Sequence, residues 1–320
     1  MLYKISLFII MKQIYILKFR NIYYKNIILS LFFFFMYISY YYGVNVNVCL
    51  CIIGKKENLY INEYIKHYKE LGYKHIYLYD NNDINEEKFD DVLKKNIKND
   101  FVSIINYRGY RGILNHPQFE AYYDCYEKNN KKYKWLSFFD LDEFLVLKPK
   151  NMKINKLLNN KRYEKCDNIK INWLIYSDSN LVYYENKPIK ERFTQPIYNT
   201  PINIHIKSTV RGNLKSNYWN NTLNPHTSEN EFISCSSSGN LIKYNSPFNE
   251  PPDYKFAVLR HYHTKTIEEF CSKIKRGRAT RKVDYNEKEI LERLKMFFSI
   301  NKKTKEKFQV IREQLNISIH

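Results

Sequence analysis

The 320-residue sequence has no Cys-x-x-Cys pair and no Cys/His spacing of the zinc-binding kind, which excludes structural zinc modules of those types. It has no internal repeat, so architectures built by stacking repeats are excluded as well. No small-residue site of the A-x-A kind follows its first apolar run, and that run therefore does not read as a cleaved signal peptide. Acidic residues are short, 33 Asp and Glu against 52 Lys and Arg, leaving a formal charge of +19. That excess does not read as a nucleic-acid groove. Basic residues are scattered, with only short runs such as Lys273 to Lys282, and they come with a parallel excess of Asn, Ile and Tyr. A solvated basic surface in a chain of biased composition is the reading, with no nucleic-acid partner.

What is present is a globular composition. Hydrophobic residues make up 44% and aromatics 17%, too many for a disordered chain. The length suffices for one large α/β domain plus appendages. Of the six cysteines, Cys49 and Cys51 alternate within an apolar run, as thiols buried on one face of a strand would. One or two disulfides fit an oxidising lumen, but their pairing cannot be read from the sequence.

No charge occurs between Lys25 and Lys55. Within that gap, residues 27–44 form an apolar stretch with Tyr40, Tyr41 and Tyr42 near its end. A bilayer is spanned by about 17 to 25 such residues, and tyrosines suit its interface. The expectation is a single-pass membrane anchor at 27–44 behind a short basic tail at 1–26. Lys4, Lys12, Lys18, Arg20 and Lys25 favour a cytoplasmic N-terminus, with the domain on the far side.

After the anchor, strand and helix patterns alternate. Asn47 to Ile53, His75 to Tyr79, Phe101 to Ile105 and Trp135 to Phe139 read as strands. Between them lie three helical patterns. In the first, Leu59, Ile61, Tyr64, Ile65, Tyr68 and Leu71 recur at helical spacing until Gly72. The second runs from Phe89 to Ile97, and the third opens at Pro117, with Phe119, Tyr122, Tyr123 and Tyr126 on one side. Such alternation implies a mostly parallel sheet flanked by helices, which binds ligands at the carboxyl ends of its strands. Beyond Asn168 the pattern is richer in strands. The domain is expected over 45–285, with a charged helical segment at 286–320.

Three expected strands end in polar clusters: Lys55-Lys56-Glu57, Asp80-Asn81 and Asp140-Leu141-Asp142-Glu143. In an extended segment Asp140 and Asp142 would face one way. Two carboxylates at a strand end suit Mg²⁺ or Mn²⁺, an ion that neutralises a diphosphate leaving group. An Asp-x-Asp alone is weak; its place after a buried strand gives it weight.

These residues resemble glycosyltransferase family 92 and related GT-A transferases. The resemblance is carried by Lys55 to Tyr68, Leu71 to Asn82, Gln118, Asp124-Cys125, Lys134-Trp135-Leu136 and Asp140 to Phe144. Glu191-Arg192-Phe193, Lys207-Ser208, Asn224-Pro225-His226, His261 to Phe270, Lys273 and Arg276-Gly277 follow in order, so that it covers roughly residues 47 to 280. It implies a GT-A-like domain that transfers a hexose, commonly galactose, from a UDP-sugar to a glycan acceptor with inversion. Lys55, Glu57 and Asp80 would line the nucleotide pocket, and Lys207, Arg211, Lys265 and Arg276 would contact phosphate. Asp140 and Asp142 would bind Mn²⁺ or Mg²⁺, with His226, His261 and His263 as candidates to complete the shell. Inversion needs a general base, for which Asp178 and Glu191 are the candidates. The chain departs from the family pattern at Tyr176-Ser177-Asp178-Ser179, which replaces an expected glycine-containing segment after Trp173. In a eukaryotic cell the anchored domain would fit the Golgi lumen. Two readings compete: a catalytically inactive nucleotide-sugar or glycan-binding module, and a basic nucleic-acid-binding protein.

Overall fold

A computed structural model describes residues 27–34, 46–110, 112, 116–214, 223–227, 232–242, 246–277 and 285–317. The chain divides into two compact units, Met1–Asn45 and Val46–His320. In the first, residues 27–34 are helical and expose Leu29, Leu31, Phe33 and Phe34. The basic tail at 1–26 and the remainder of the expected anchor, 35–44, lie outside the described residues. Among the described residues, no helix is long and apolar enough to cross a membrane.

The second unit opens with the expected alternation: β1 (Val48–Gly54), α1 (Asn58–Leu71), β2 (His75–Asp80), α2 (Phe89–Lys98), β3 (Val102–Asn106), α3 (Pro117–Asn129) and β4 (Trp135–Phe138). In α1 the buried residues are Ile61, Tyr64, Ile65 and Tyr68, one stripe at intervals of three and four. Leu59, expected in that stripe, stands two residues and so about 200° from Ile61, and is exposed. Gly72 closes the helix at a φ of 92°, a left-handed conformation that costs glycine nothing.

Strand β1 is buried on both sides. Val48, Leu50 and Ile52 join Ile61, Tyr64, Phe89 and Leu93 in one core. Cys49, Cys51 and Ile53 join Tyr122, Cys125 and Tyr126 of α3 in the other. The cysteines thus share a face as expected, but Cys51 is bonded to Cys125 and staples α3 to the sheet. A second disulfide joins Cys166 to Cys235, while Cys49 and Cys271 are free and buried.

The elements that follow are β5 (Glu143–Leu147), α4 (Ile154–Leu158), β6 (Asn168–Ile175), α5 (Ile189–Arg192), β7 (Ile206–Arg211), β8 (Ser234–Cys235), β9 (Ala257–His261), α6 (Ile267–Lys275), α7 (Glu287–Ile300) and α8 (Lys305–Leu315). The sheet runs β3-β2-β1-β4-β7-β6-β9-β5, with β8 beside β6. It is a mixed sheet, in which β6 also pairs in parallel with β8 and β9. The first four strands pair in parallel, but β7 is antiparallel to β4 and β6, and β5 is antiparallel to β9. Antiparallel neighbours need no crossover helix, which is why the strand-rich second half adds so few helices between strands.

Helix α6 begins with a reciprocal cap in which Thr266 and Glu269 bond each other's backbone N–H. It packs through Phe270 and Ile274 on Leu294 and Phe297 of α7 and Val310 and Ile311 of α8. The charged C-terminal segment therefore adds its apolar stripes to the same compact unit.

Candidate active site

The parallel pairing of β1, β2 and β4 brings Gly54, Asp80 and Phe138 to one edge of the sheet. There a cleft of about 760 Å³ opens, with Lys55, Glu57, Asp140, Asp142, His226, His261, His263 and Arg276 among its lining residues. Eight of the expected site residues, spread over more than 200 positions, thus meet in one place. Gly54 forms part of the floor, where a Cβ would stand 2.6 Å from Leu141 Cδ1 and 2.7 Å from Phe89 Cζ.

The Asp-x-Asp segment is a turn, not an extended strand, closed by the Glu143 N–H donating to the Asp140 carbonyl at 3.0 Å. The two aspartates consequently part. Asp140 accepts from Lys207 at 2.7 Å through Oδ2 and from Gln118 at 2.7 Å through Oδ1. Asp142 accepts from Lys273 at 2.6 Å and has His261 Nε2 at 3.4 Å. The ligand atoms of Asp142, His261 and His263 lie within 4.8 Å of one another.

That trio fits a divalent ion. It supplies one carboxylate oxygen and two imidazole nitrogens, and His261 Nδ1 is buried without a hydrogen-bond partner. Imidazole donors suit Mn²⁺ better than Mg²⁺, which prefers an all-oxygen shell. Of the residues considered for the metal, Asp140 and His226 stand outside the trio. Lys207 and Gln118 hold Asp140, and His226 donates from Nδ1 to the Ile206 carbonyl at 2.7 Å.

Electrostatics keep the trio ready for a cation. Burial opposes the Asp142 charge, but Lys273 and His261 outweigh it and hold the carboxyl well below its usual range. Burial, together with Lys273, depresses His263 and keeps it neutral. Burial depresses His261 too, against the pull of Asp142. Behind them Glu143 is wholly buried, and desolvation pushes its carboxyl well up despite Lys207 at 3.7 Å.

On the nucleotide side, Arg276 bonds Glu57 at 2.5 Å and the Lys55 carbonyl at 2.8 Å, tying α6 to the end of β1. Lys265 lies 3.7 Å from Glu57, over the Tyr60 ring, and Lys55 pairs with Asp83 at 2.8 Å. Lys265 lines a neighbouring cavity of about 580 Å³ rather than this cleft.

Four expected residues serve elsewhere. Asp80 is buried and bonded to Asn82 and Arg108, where it locks the loop after β2. Arg211 caps the carbonyls of Tyr163 and Cys166 and covers Trp135, at the end of β4 away from the cleft. Asp178 is buried in an ion pair with Lys307 of α8 and accepts from the Asn180 N–H. Glu191 is exposed on the short α5. The pair at 178 and 307 brings together segments 129 residues apart, which no local pattern announces.

Sequence reasoning did not place Trp173, His205 and Phe248 in the cleft, nor Lys273 beside Asp142. Lys273 is brought from α6 to the turn before β5, and the two residues are 131 apart in the chain. Trp173, His205 and Phe248 lie in the strand-rich half, where no polar motif marks them.

The profile of glycosyltransferase family 92 matches residues 44–298. None of the curated proteins matches the chain. Solved structures with a similar course include S. aureus TarS 1-349 in complex with UDP, at 10% identity and a TM-score of 0.32, covering 52% of this chain and 46% of that one. S. aureus TarS 1-349 matches at 10% identity and 0.36 over 84% and 71%, and S. aureus TarS at 11% and 0.34 over 84% and 43%. The chain thus spans about half the length of the first of these structures.

Proposed function

This chain belongs to glycosyltransferase family 92 and is a glycosyltransferase, and from that premise we propose that it moves a hexose from a UDP-sugar to a glycan acceptor, with metal assistance and inversion. Galactose is the hexose that the resemblance suggests. One observation carries the reading: Asp142, His261 and His263 converge within 4.8 Å at the strand ends.

These three residues would hold Mn²⁺, which when bound neutralises charge on the departing diphosphate oxygen. The chain's own cations flank the same place. Lys273 bonds Asp142 through Oδ2, and Arg276 is fixed by Glu57 at the rim of β1. Both are set to meet phosphate oxygens, each cation then being shared between its carboxylate and the donor's diphosphate.

In an inverting transfer the acceptor oxygen bonds the anomeric carbon as the bond to the diphosphate breaks, and a base takes the acceptor proton. Asp178 and Glu191 lie outside the cleft, so the role passes to a lining carboxylate. We assign it to Asp140, whose side chain is 33% exposed and is aimed by Lys207, Gln118 and Tyr122. Burial disfavours the ionised carboxyl, yet Lys207 keeps its pKa low, so it is ionised at neutral pH.

The test is donor turnover by purified protein over a panel of nucleotide sugars, with and without Mn²⁺. Turnover of a uridine-linked hexose that chelation abolishes is the expected result. Chelator-resistant turnover removes the metal from the reading.

For location, we read 27–44 as a single-pass membrane anchor that, in a eukaryotic cell, places the domain in the Golgi lumen. The exposed Leu29, Leu31, Phe33 and Phe34 support the first part, and the disulfides Cys51–Cys125 and Cys166–Cys235 suit an oxidising compartment. Protease digestion of the domain in sealed vesicles would overturn the orientation.

A further inference from the structure

The cleft has two chemically different ends. Near Lys55 and Arg276 it is charged, as a diphosphate requires. At the other end stand Trp173, His205, Asn224, His226 and Phe248, with no carboxylate, lysine or arginine among them.

These side chains make a platform. The Trp173 and His205 rings stack with centroids 4.9 Å apart at 13°, and Phe248 meets His205 edge-on at 4.7 Å. Phe248 is 40% exposed, a large aromatic left open at the cleft. The platform reaches the reaction centre, because Trp173 also contacts His261 of the metal trio at 4.3 Å.

Polar groups stand beside it in defined states. His226 donates from Nδ1 to the Ile206 carbonyl, so its Nε2 carries the lone pair. Burial and Lys207 push the His226 pKa down to about 3, which keeps the ring neutral. Asn224 uses Oδ1 to accept from the His226 N–H, leaving its amide hydrogens to donate.

We propose that this end is the acceptor subsite and takes an uncharged pyranose that lays an apolar C–H face on the aromatic platform. The assignment rests on the glycosyl-transfer reading and names its second substrate. A pyranose has one face of C–H groups with partial positive charge, which suits the negative face of an aromatic ring. Its hydroxyls find an acceptor at His226 Nε2 and donors on Asn224. A uronate or phosphorylated sugar would lose water around its charge and, among the described residues lining this end, find no free cation, because Lys207 behind His226 is wholly buried and held by Asp140.

The experiment is steady-state transfer by the full chain to paired acceptors, neutral hexosides and the matching uronosides, with donor hydrolysis followed in parallel. Phe248→Ala and Trp173→Phe are measured beside the wild type, their folding checked by thermal melts. Transfer to neutral acceptors only is expected. In Phe248→Ala the acceptor KM should rise tenfold or more, far beyond any change in donor KM, with a smaller rise in Trp173→Phe, which keeps an aromatic face. Preference for uronosides, or an unmoved acceptor KM while donor is turned over, overturns the subsite alone. No turnover of any donor by the folded wild type sinks the transfer reading and the subsite with it.

Discussion

The Lys207 ammonium lies 2.7 Å from Oδ2 of Asp140 with its side chain wholly buried, and this pair gives the two aspartates of one motif different work. Lys207 is fixed on β7, which lies beside β4, so Asp140 has a permanent cation. Asp142, two residues on, has its own cation, Lys273 at 2.6 Å through Oδ2, and turns Oδ1 to His261 of the trio at 3.4 Å.

The division predicts opposite metal-binding phenotypes. Asp142→Asn should weaken Mn²⁺ binding by tenfold or more in titration calorimetry. Asp140→Asn should bind Mn²⁺ nearly as the wild type does, while its transfer rate falls by about a hundredfold, the scale of a lost general base. Equal loss of Mn²⁺ affinity in both would return Asp140 to the metal shell.

Lys207→Met should destabilise the fold. It strands Asp140 and the wholly buried Glu143 without their shared cation. Removing one partner of a buried pair costs about 3–5 kcal/mol, and protonation of Glu143 should hold the loss near the lower figure. Urea unfolding at pH 7 measures it; a loss under 1 kcal/mol would show that the cluster is already neutral.

His67 supplies a pH dependence away from the cleft. Its Nε2 donates to the Leu145 carbonyl at 2.8 Å, and burial, aided by Lys190, pushes its pKa down to about 4. The unfolded value is about 6.5. Above pH 6.5 both states are neutral and the contribution is complete. As pH falls from 6.5 towards 4, the unfolded chain takes up a proton that the folded chain refuses, and stability declines by about 3 kcal/mol. His67→Gln should flatten that part of the curve; an unchanged slope would place the titration in other groups.

Asp178 and Glu191 give a contrast between structure and catalysis. Asp178→Asn should lower the melting temperature by several degrees, because it weakens the buried tie to Lys307 of α8. Transfer per folded molecule should persist. Glu191→Gln should change neither stability nor rate, since the side chain is exposed. Abolished transfer in a folded Glu191→Gln protein would restore Glu191 as the base.

Much of the fold was legible because its signals are local. The first four strands and three helices declare themselves by apolar runs, helical spacing, Gly72 and Pro117, and their bounds shift by only a residue or so. The strand-end polar clusters pointed to the edge of the sheet where the cleft opens, since parallel strands carry their carboxyl ends to one side. Signals failed where one residue type serves two purposes. Arg211 reads like a phosphate ligand but is consumed by backbone carbonyls, and Asp178 reads like a base but pins a helix.

By itself the sequence determined the alternation of β1 to β4, the apolar faces, the acidic segment after β4 and the family, because each depends on neighbours within a turn or two of chain. Tertiary structure alone decided the mixed second half of the sheet, the parting of Asp140 from Asp142, and the cysteine partners. It also brought Lys207, His261 and Lys273 to those carboxylates. The reason is range: a side chain's charge and hydrogen bonds act over a few ångströms of space, and residues 67 and 131 positions apart become neighbours only when the chain folds back on itself.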